Sequence, residues 1–148
     1  MILNLLADNS RLKFSEKNGL KRVLDLIRKK WLVLTPEELV RQLFVDYLIR
    51  QMNYPAARIA VEKQIRMDRT VKRFDLVIYN SVLSPFLMIE CKSPDVRLDE
   101  AVVSQVVRYN LAVKADFLCI VNGLECRVFQ KSEDGHWRDV DRLPESIP

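Results

Sequence analysis

Apolar and polar positions change period several times along this chain, and each change marks an element. Residues 11–15 and 20–24 are short mixed runs on either side of Asn18-Gly19. That dipeptide suits the left-handed backbone of a tight turn, so the pattern predicts an N-terminal β-hairpin. Residues 25–30 read as a short basic stretch, helical or irregular, leading to Trp31. Thr35-Pro36-Glu37-Glu38 then carries the marks of a helix start: a hydroxyl for the N-cap, proline at the first helical position, and Glu38 where a capping box wants its acid. Leu39, Val40, Leu43, Phe44, Tyr47 and Leu48 follow at helical spacing and carry the helix to about Gln51.

Period two returns at Ile59, Val61, Ile65 and Met67, interrupted by Lys63, and Asp68-Arg69-Thr70 is the predicted turn. Residues 74–79 and 86–91 form two further apolar strands joined by a polar turn over 80–84. A helix is expected over 98–114, with Val102, Val103, Val106, Val107, Tyr109 and Leu111 on its apolar side. Residues 117–121 are wholly apolar, as in a strand covered on both faces and parallel to its neighbour. Asn122-Gly123 turns the chain into a strand at 124–129, and the tail from Lys131 is polar. Without repeats or a low-complexity linker, the order describes one α/β domain over residues 1–148, with its core at about 33–130.

Composition narrows the chemistry. With 148 residues, 49% hydrophobic and 30% charged, the chain matches a globular domain with a single core. No run approaches the ~20 apolar residues of a membrane span, and residues 1–8 lack the basic lead of a signal peptide. None of the three glycines lies in a GxxxxGK[ST] frame, so these residues hold no ATP site. Three cysteines without a CxxC pair, beside the single His136, disfavour zinc and any Ser–His or Cys–His catalysis. Cys91 and Cys119 read as small buried hydrophobes, Cys126 is open, and the expected compartment is cytoplasmic. A net charge of +4 suits a polyanionic partner and equally suits a plain solvated surface.

The chemistry that remains rests on carboxylates and lysine. Asp75 interrupts one apolar strand, and Glu90 and Lys92 interrupt the next. Alternation sends Glu90 and Lys92 one way and Cys91 the other. Ions at core-like positions cost several kcal/mol unless partners or a metal compensate. Two neighbouring carboxylates repel unless a divalent cation lies between them, and all-oxygen donors suit Mg²⁺, with Mn²⁺ as a substitute. The competing reading is a buried Asp–Lys–Glu network that fixes sheet register.

At these residues the chain resembles a known group. Phe74-Asp75 followed by Glu90-Cys91-Lys92 looks like the PD-(D/E)XK nuclease core, with Phe74 where the motif has proline. The words Leu34-Thr35-Pro36-Glu37-Glu38, Val40-Arg41-Gln42, Lys72-Arg73-Phe74-Asp75, Gln105-x-x-x-Tyr109-Asn110 and Asn122-Gly123-Leu124 sharpen the likeness. Together they resemble the N-terminal nuclease domain of type I restriction enzyme R subunits, from the first hairpin to about Phe129. The resemblance implies a restriction-endonuclease-like core, a mixed central sheet flanked by helices. It implies that Asp75, Glu90 and the Cys91 carbonyl bind metal and that Lys92 orients the attacking water. It further implies that Gln105 and Tyr109 help position the lysine and the DNA backbone. One more acid is expected from the first helix. Glu37 is preferred, because capping accounts for Glu38 and Glu37 lies nearer the buried stripe. Arg73 is either a phosphate contact or a surface ion pair, and Glu62 is expected to be a solvent-facing strand residue.

The resulting expectation is a Mg²⁺-dependent DNA phosphodiesterase, without a membrane role. Its expected partners are restriction-modification subunits on other chains and a second copy for double-strand cutting. ATP-driven translocation does not carry over to these residues. The alternatives are a nucleic-acid-binding or assembly module that kept the nuclease fold, and a structural ion-pair cluster in a protein-interaction domain.

Overall fold

A computed structural model describes residues 1–7, 11–67 and 69–148. The predicted hairpin is present as β1 (Phe14–Lys17) and β2 (Leu20–Leu24), and Asn18 and Gly19 take the left-handed backbone at φ 54° and 79°. A third strand, β3 (Trp31–Val33), joins β2 to complete a small antiparallel sheet. Its three residues are too few to show a period in the sequence. Helix α1 (Pro36–Arg50) starts as expected: Thr35 Oγ1 accepts from Glu38 N at 3.1 Å. The reciprocal half of the capping box is not made, because the Glu38 carboxylate turns to Arg41 and Gln42.

A mixed sheet follows, built from β4 (Ile59–Met67), β5 (Thr70–Tyr79), β6 (Pro85–Cys91), β7 (Phe117–Val121), β8 (Cys126–Lys131) and β9 (Trp137–Val140) in that spatial order. Neighbours are antiparallel except β6 and β7, which run parallel and are linked through helix α2 (Glu100–Tyr109). Of the expected 68–70 turn, Asp68 lies outside the described residues.

Apolar side chains pack on both faces of the sheet. Val40, Leu43, Phe44 and Leu48 of α1 join Leu76, Ile78, Leu87, Ile89 and Cys91 on one face. Val103 and Val106 of α2 join Phe74, Val77, Met88, Leu118 and Ile120 on the other. The chain is thus an α/β protein in which α1 and α2 cover opposite faces of the mixed sheet.

Three expectations need correction. Helix α2 is shorter than 98–114. Asp99 caps its start by accepting from Val102 N at 3.0 Å, and buried Asn110 ends it with a bond from Nδ2 to the Val106 carbonyl at 2.6 Å. Tyr109 and Leu111 therefore do not join its apolar side; they are 68% and 50% exposed. The core also extends beyond 33–130, since Leu5, Leu12, Val23 and Leu143 are buried in it and β9 adds a strand inside the supposed tail. At Gly123 (φ 91°) a Cβ would meet Val40 Cγ2 at 3.2 Å and Leu6 Cδ2 at 3.3 Å, which explains the residue at the β7–β8 turn. Among the described residues no helix is long and apolar enough to cross a membrane.

Candidate active site

Asp75 stands where the sheet turns over. In a regular strand, residues two apart share a face. Phe74, however, packs in the core under α2, while Leu76 packs under α1. Strand β4 does the same, with Val61 against the α1 side and Ile65 against the α2 side. The switch coincides with Glu62, whose φ of 51° is a left-handed conformation rare for a non-glycine residue. Glu62 lies opposite Asp75, bracketed by the pairs Val61↔Leu76 and Lys63↔Phe74. On the other side, the β5–β6 ladder ends at Leu76↔Ile89. Asp75, one step beyond that pair, reaches across the opening gap, and its Oδ2 accepts from Cys91 N at 2.7 Å.

A cleft of about 330 Å³ opens at this point, walled by Glu37, Glu38, Arg41, Glu62 and Asp75, with Leu32 and Val33 from the small sheet. A wider hollow of about 640 Å³ beside β9 shares none of its lining residues. Glu38 is buried and paired with Arg41, with Nε to Oε2 at 2.7 Å, and also accepts from Gln42 Nε2 at 3.3 Å. Glu37 is exposed at the rim. Helical spacing puts Glu37 nearer the buried stripe. The structure reverses this: Glu38 goes inward because a buried guanidinium waits for it, and Glu37 is left facing the cleft.

Glu62 also departs from expectation. It does not simply face solvent but gathers three arginines: Arg73 at 2.6 Å, Arg28 at 3.1 Å and Arg41 at 3.2 Å. Desolvation works to raise its pKa, yet the hydrogen bonds from Arg73, Arg28 and Arg41 hold it down to about 2. Of the two roles considered for Arg73, the structure shows the ion pair; its side chain nevertheless remains 60% exposed. Asp75 moves the opposite way. Burial is the main cause of its raised pKa, and the negative charges of Glu90 and Glu37 add to it. The Cys91 N–H and Arg41 (Nη1 to Oδ1, 4.0 Å) pull back without prevailing.

Glu90 does not line the cleft with Asp75. Its neighbours Ile89 and Cys91 both pack under α1, so alternation turns Glu90 toward the α2 side. There its Oε1 meets Lys72 Nζ at 3.2 Å. Lys72 also bonds Asn110 Oδ1 at 2.7 Å and lies over the rings of Phe74 (5.1 Å) and Tyr109 (5.9 Å). Lys72 opens the Lys72-Arg73-Phe74-Asp75 motif, but nothing in its spacing marks it as the partner of Glu90. The two acids therefore stand on either side of the β5–β6 gap, close enough for Glu90 to be felt at Asp75. Lys92 N donates to Val121 O at 2.8 Å, and its ammonium has no partner among the described residues. Gln105 and Tyr109 are both exposed, one turn apart on α2, which removes the reading of Tyr109 as a core aromatic.

Among the described residues no three His, Cys, Asp or Glu side chains form a ready cage for a metal ion. The donor chemistry does fit a hard cation that keeps several waters and takes one or two carboxylates. Among the described residues Asp75 Oδ1 has only the distant Arg41 beside it, and Glu90 Oε2 has no partner.

Taken together, these features define an α/β domain with an acidic cleft at the carboxyl end of a parallel strand pair, where such sheets commonly bind their ligands. The chain belongs to the type I restriction enzyme R protein N terminus (HSDR_N) family, whose model matches residues 36–144, from the first residue of α1 to just beyond β9. This membership ties the chain to a restriction-enzyme-related role. A comparison with curated proteins gave no match.

Proposed function

We propose that this domain is a Mg²⁺-dependent DNA phosphodiesterase of the PD-(D/E)XK kind. The observation that carries the reading is Asp75. It is a half-exposed carboxylate at the end of a strand pair, with its charge disfavoured by burial and by Glu90 and Glu37, and with Glu90-Cys91-Lys92 directly across the gap. A carboxylate in that state gains from a divalent counter-ion. Asp75 and the Cys91 carbonyl would hold the ion, with Glu37 at the rim as an auxiliary ligand, and Glu90 would join them by exchanging Lys72 for the ion across the gap. Bound there, Mg²⁺ supplies Lewis acidity toward water and neutralises phosphate oxygens.

The protein's own groups do the rest. Lys92, without an ion-pair partner among the described residues, is available to orient a water and to balance charge gathering on the phosphoryl oxygens. The water oxygen bonds to phosphorus and gives up a proton to solvent as the bond to the leaving sugar oxygen breaks, and that leaving oxygen takes a proton from solvent. Gln105 and Tyr109 face outward on α2, where they can meet the DNA backbone.

The test is nicking of supercoiled DNA with Mg²⁺ and with Mn²⁺. Asp75→Ala and Lys92→Ala should abolish nicking without loss of fold by circular dichroism. Wild-type protein that is inert on both single- and double-stranded DNA with both ions refutes the enzyme reading. The pairing of Glu90 with Lys72 and the lack of a ready cage favour a second reading, a DNA-binding or assembly module without turnover. Calorimetry separates the two: the enzyme reading requires Mg²⁺ binding that is lost in Asp75→Asn.

A further inference from the structure

The charge of this chain is unevenly placed. Residues 1–35 hold eight of the 24 Lys and Arg but three of the 20 Asp and Glu, a net +5, which leaves residues 36–148 at −1. The whole positive excess therefore belongs to the segment that carries the small sheet, which precedes the residues matched to the family.

Its most basic part, the Arg28-Lys29-Lys30 turn between β2 and β3, is built rather than loose. Asp25 is fully buried at its base. Its Oδ1 accepts from Ile27 N at 2.9 Å and Arg28 N at 2.8 Å, and its Oδ2 accepts from Arg28 Nε at 2.8 Å. Asp25 N also donates to Lys30 O at 2.9 Å, closing the turn. Two further bonds fix the turn in place: Leu26 N donates to Gln42 Oε1 of α1 at 2.9 Å, and Arg28 Nη1 reaches Glu62 on the cleft wall at 3.1 Å. On this frame Lys29, in the left-handed conformation (φ 57°), and Lys30 are both exposed, and neither ammonium has a partner among the described residues. Trp31 follows, 40% exposed, with the Arg22 guanidinium 5.7 Å from its ring.

A buried carboxylate is tolerated where it is paired and hydrogen-bonded, and here the bonds that satisfy Asp25 also hold the basic turn in a single conformation. A turn whose backbone is already fixed loses less entropy on meeting a polyanion than a loose one, which favours binding. We infer that the β2–β3 turn is a phosphate rail: Lys29 and Lys30 contact the backbone of duplex DNA and deliver it to the cleft containing Asp75. The inference rests on the proposed action on DNA and adds the surface by which the duplex is held.

The experiment is fluorescence anisotropy of a labelled duplex with the full chain in EDTA, over a range of salt concentrations. The variant is Lys29→Asn with Lys30→Gln, because Asn tolerates the left-handed backbone at position 29. Lys114→Gln is the control; it precedes β7, at the opposite end of the parallel pair from Cys91. Loss of two phosphate contacts should lower the slope of log K against log salt by about 2 and weaken binding severalfold at moderate salt, with the control unchanged. A double variant that binds with the wild-type slope overturns the rail while leaving the nuclease reading intact. Wild-type protein with no duplex affinity at any salt also overturns the rail, and the nicking assay then judges the nuclease reading separately.

Discussion

Arg41 Nη1 lies 4.0 Å from Asp75 Oδ1, while the same guanidinium holds buried Glu38 through Nε at 2.7 Å and Glu62 at 3.2 Å. One buried cation thus ties together the helix start, the overturned strand β4 and the candidate catalytic acid. Its own pKa is raised: desolvation opposes this, but the bonds it donates to Glu38 and Glu62 outweigh it.

Arg41→Leu should destabilise the fold by about 3–5 kcal/mol in urea titrations, because Glu38 is left charged and buried. Glu38→Leu should do likewise, and the double variant should recover most of the loss. Glu37→Ala, at the rim, should stay within about 0.5 kcal/mol of wild type yet reduce nicking. Equal stability losses for Glu37→Ala and Glu38→Ala would contradict the assignment of the two acids.

Glu62 should make stability depend on acid pH. Its folded pKa of about 2 lies below the ordinary 4.5. Its contribution is therefore complete above the ordinary value and is lost as pH falls toward 2. After allowance for solvent screening this amounts to about 1 kcal/mol. Urea unfolding of wild type and Glu62→Gln should differ at pH 6 and converge near pH 2; a gap that is constant across that range counts against the arginine clamp.

Asp75→Asn should raise stability in EDTA, read as a higher Tm than wild type. The amide oxygen can still accept from Cys91 N, and the charge disfavoured by burial and by Glu90 is gone. Saturating Mg²⁺ should stabilise wild type and leave the variant unmoved. A destabilised Asp75→Asn in EDTA would mean that Arg41, not burial, dominates at this position.

Tyr109→Ala should cost at most about 1 kcal/mol of stability, since the ring is exposed and its described contact is Lys72 Nζ at 5.9 Å. A functional role on the DNA side predicts a clear loss of nicking at unchanged fold. Wild-type nicking by this variant would reduce Tyr109 to a neighbour of Lys72.

The sequence by itself determined the elements whose signals are local. Asn18-Gly19 can turn a hairpin with its own backbone preferences, Thr35-Pro36 can start a helix with its own atoms, and the apolar run at 117–121 needs cover on both faces wherever it lies. The parallel placement of β7 was legible from that doubly covered apolar run, and the candidate acids stood out as charges inside apolar strands. Tertiary structure decided what depends on partners distant in the chain. Asn110 ends α2 while its side chain is held by Lys72, and β3 and β9 are strands because β2 and β8 offer edges to pair with. Arginines 28, 41 and 73 come from three separate segments to surround Glu62, and the left-handed turn there accompanies the overturn that leaves Asp75 at the strand gap and Glu90 beyond it. Periodicity records which side of an element is buried. It carries no record of which distant charge will meet a buried one, and that encounter set the geometry of this site.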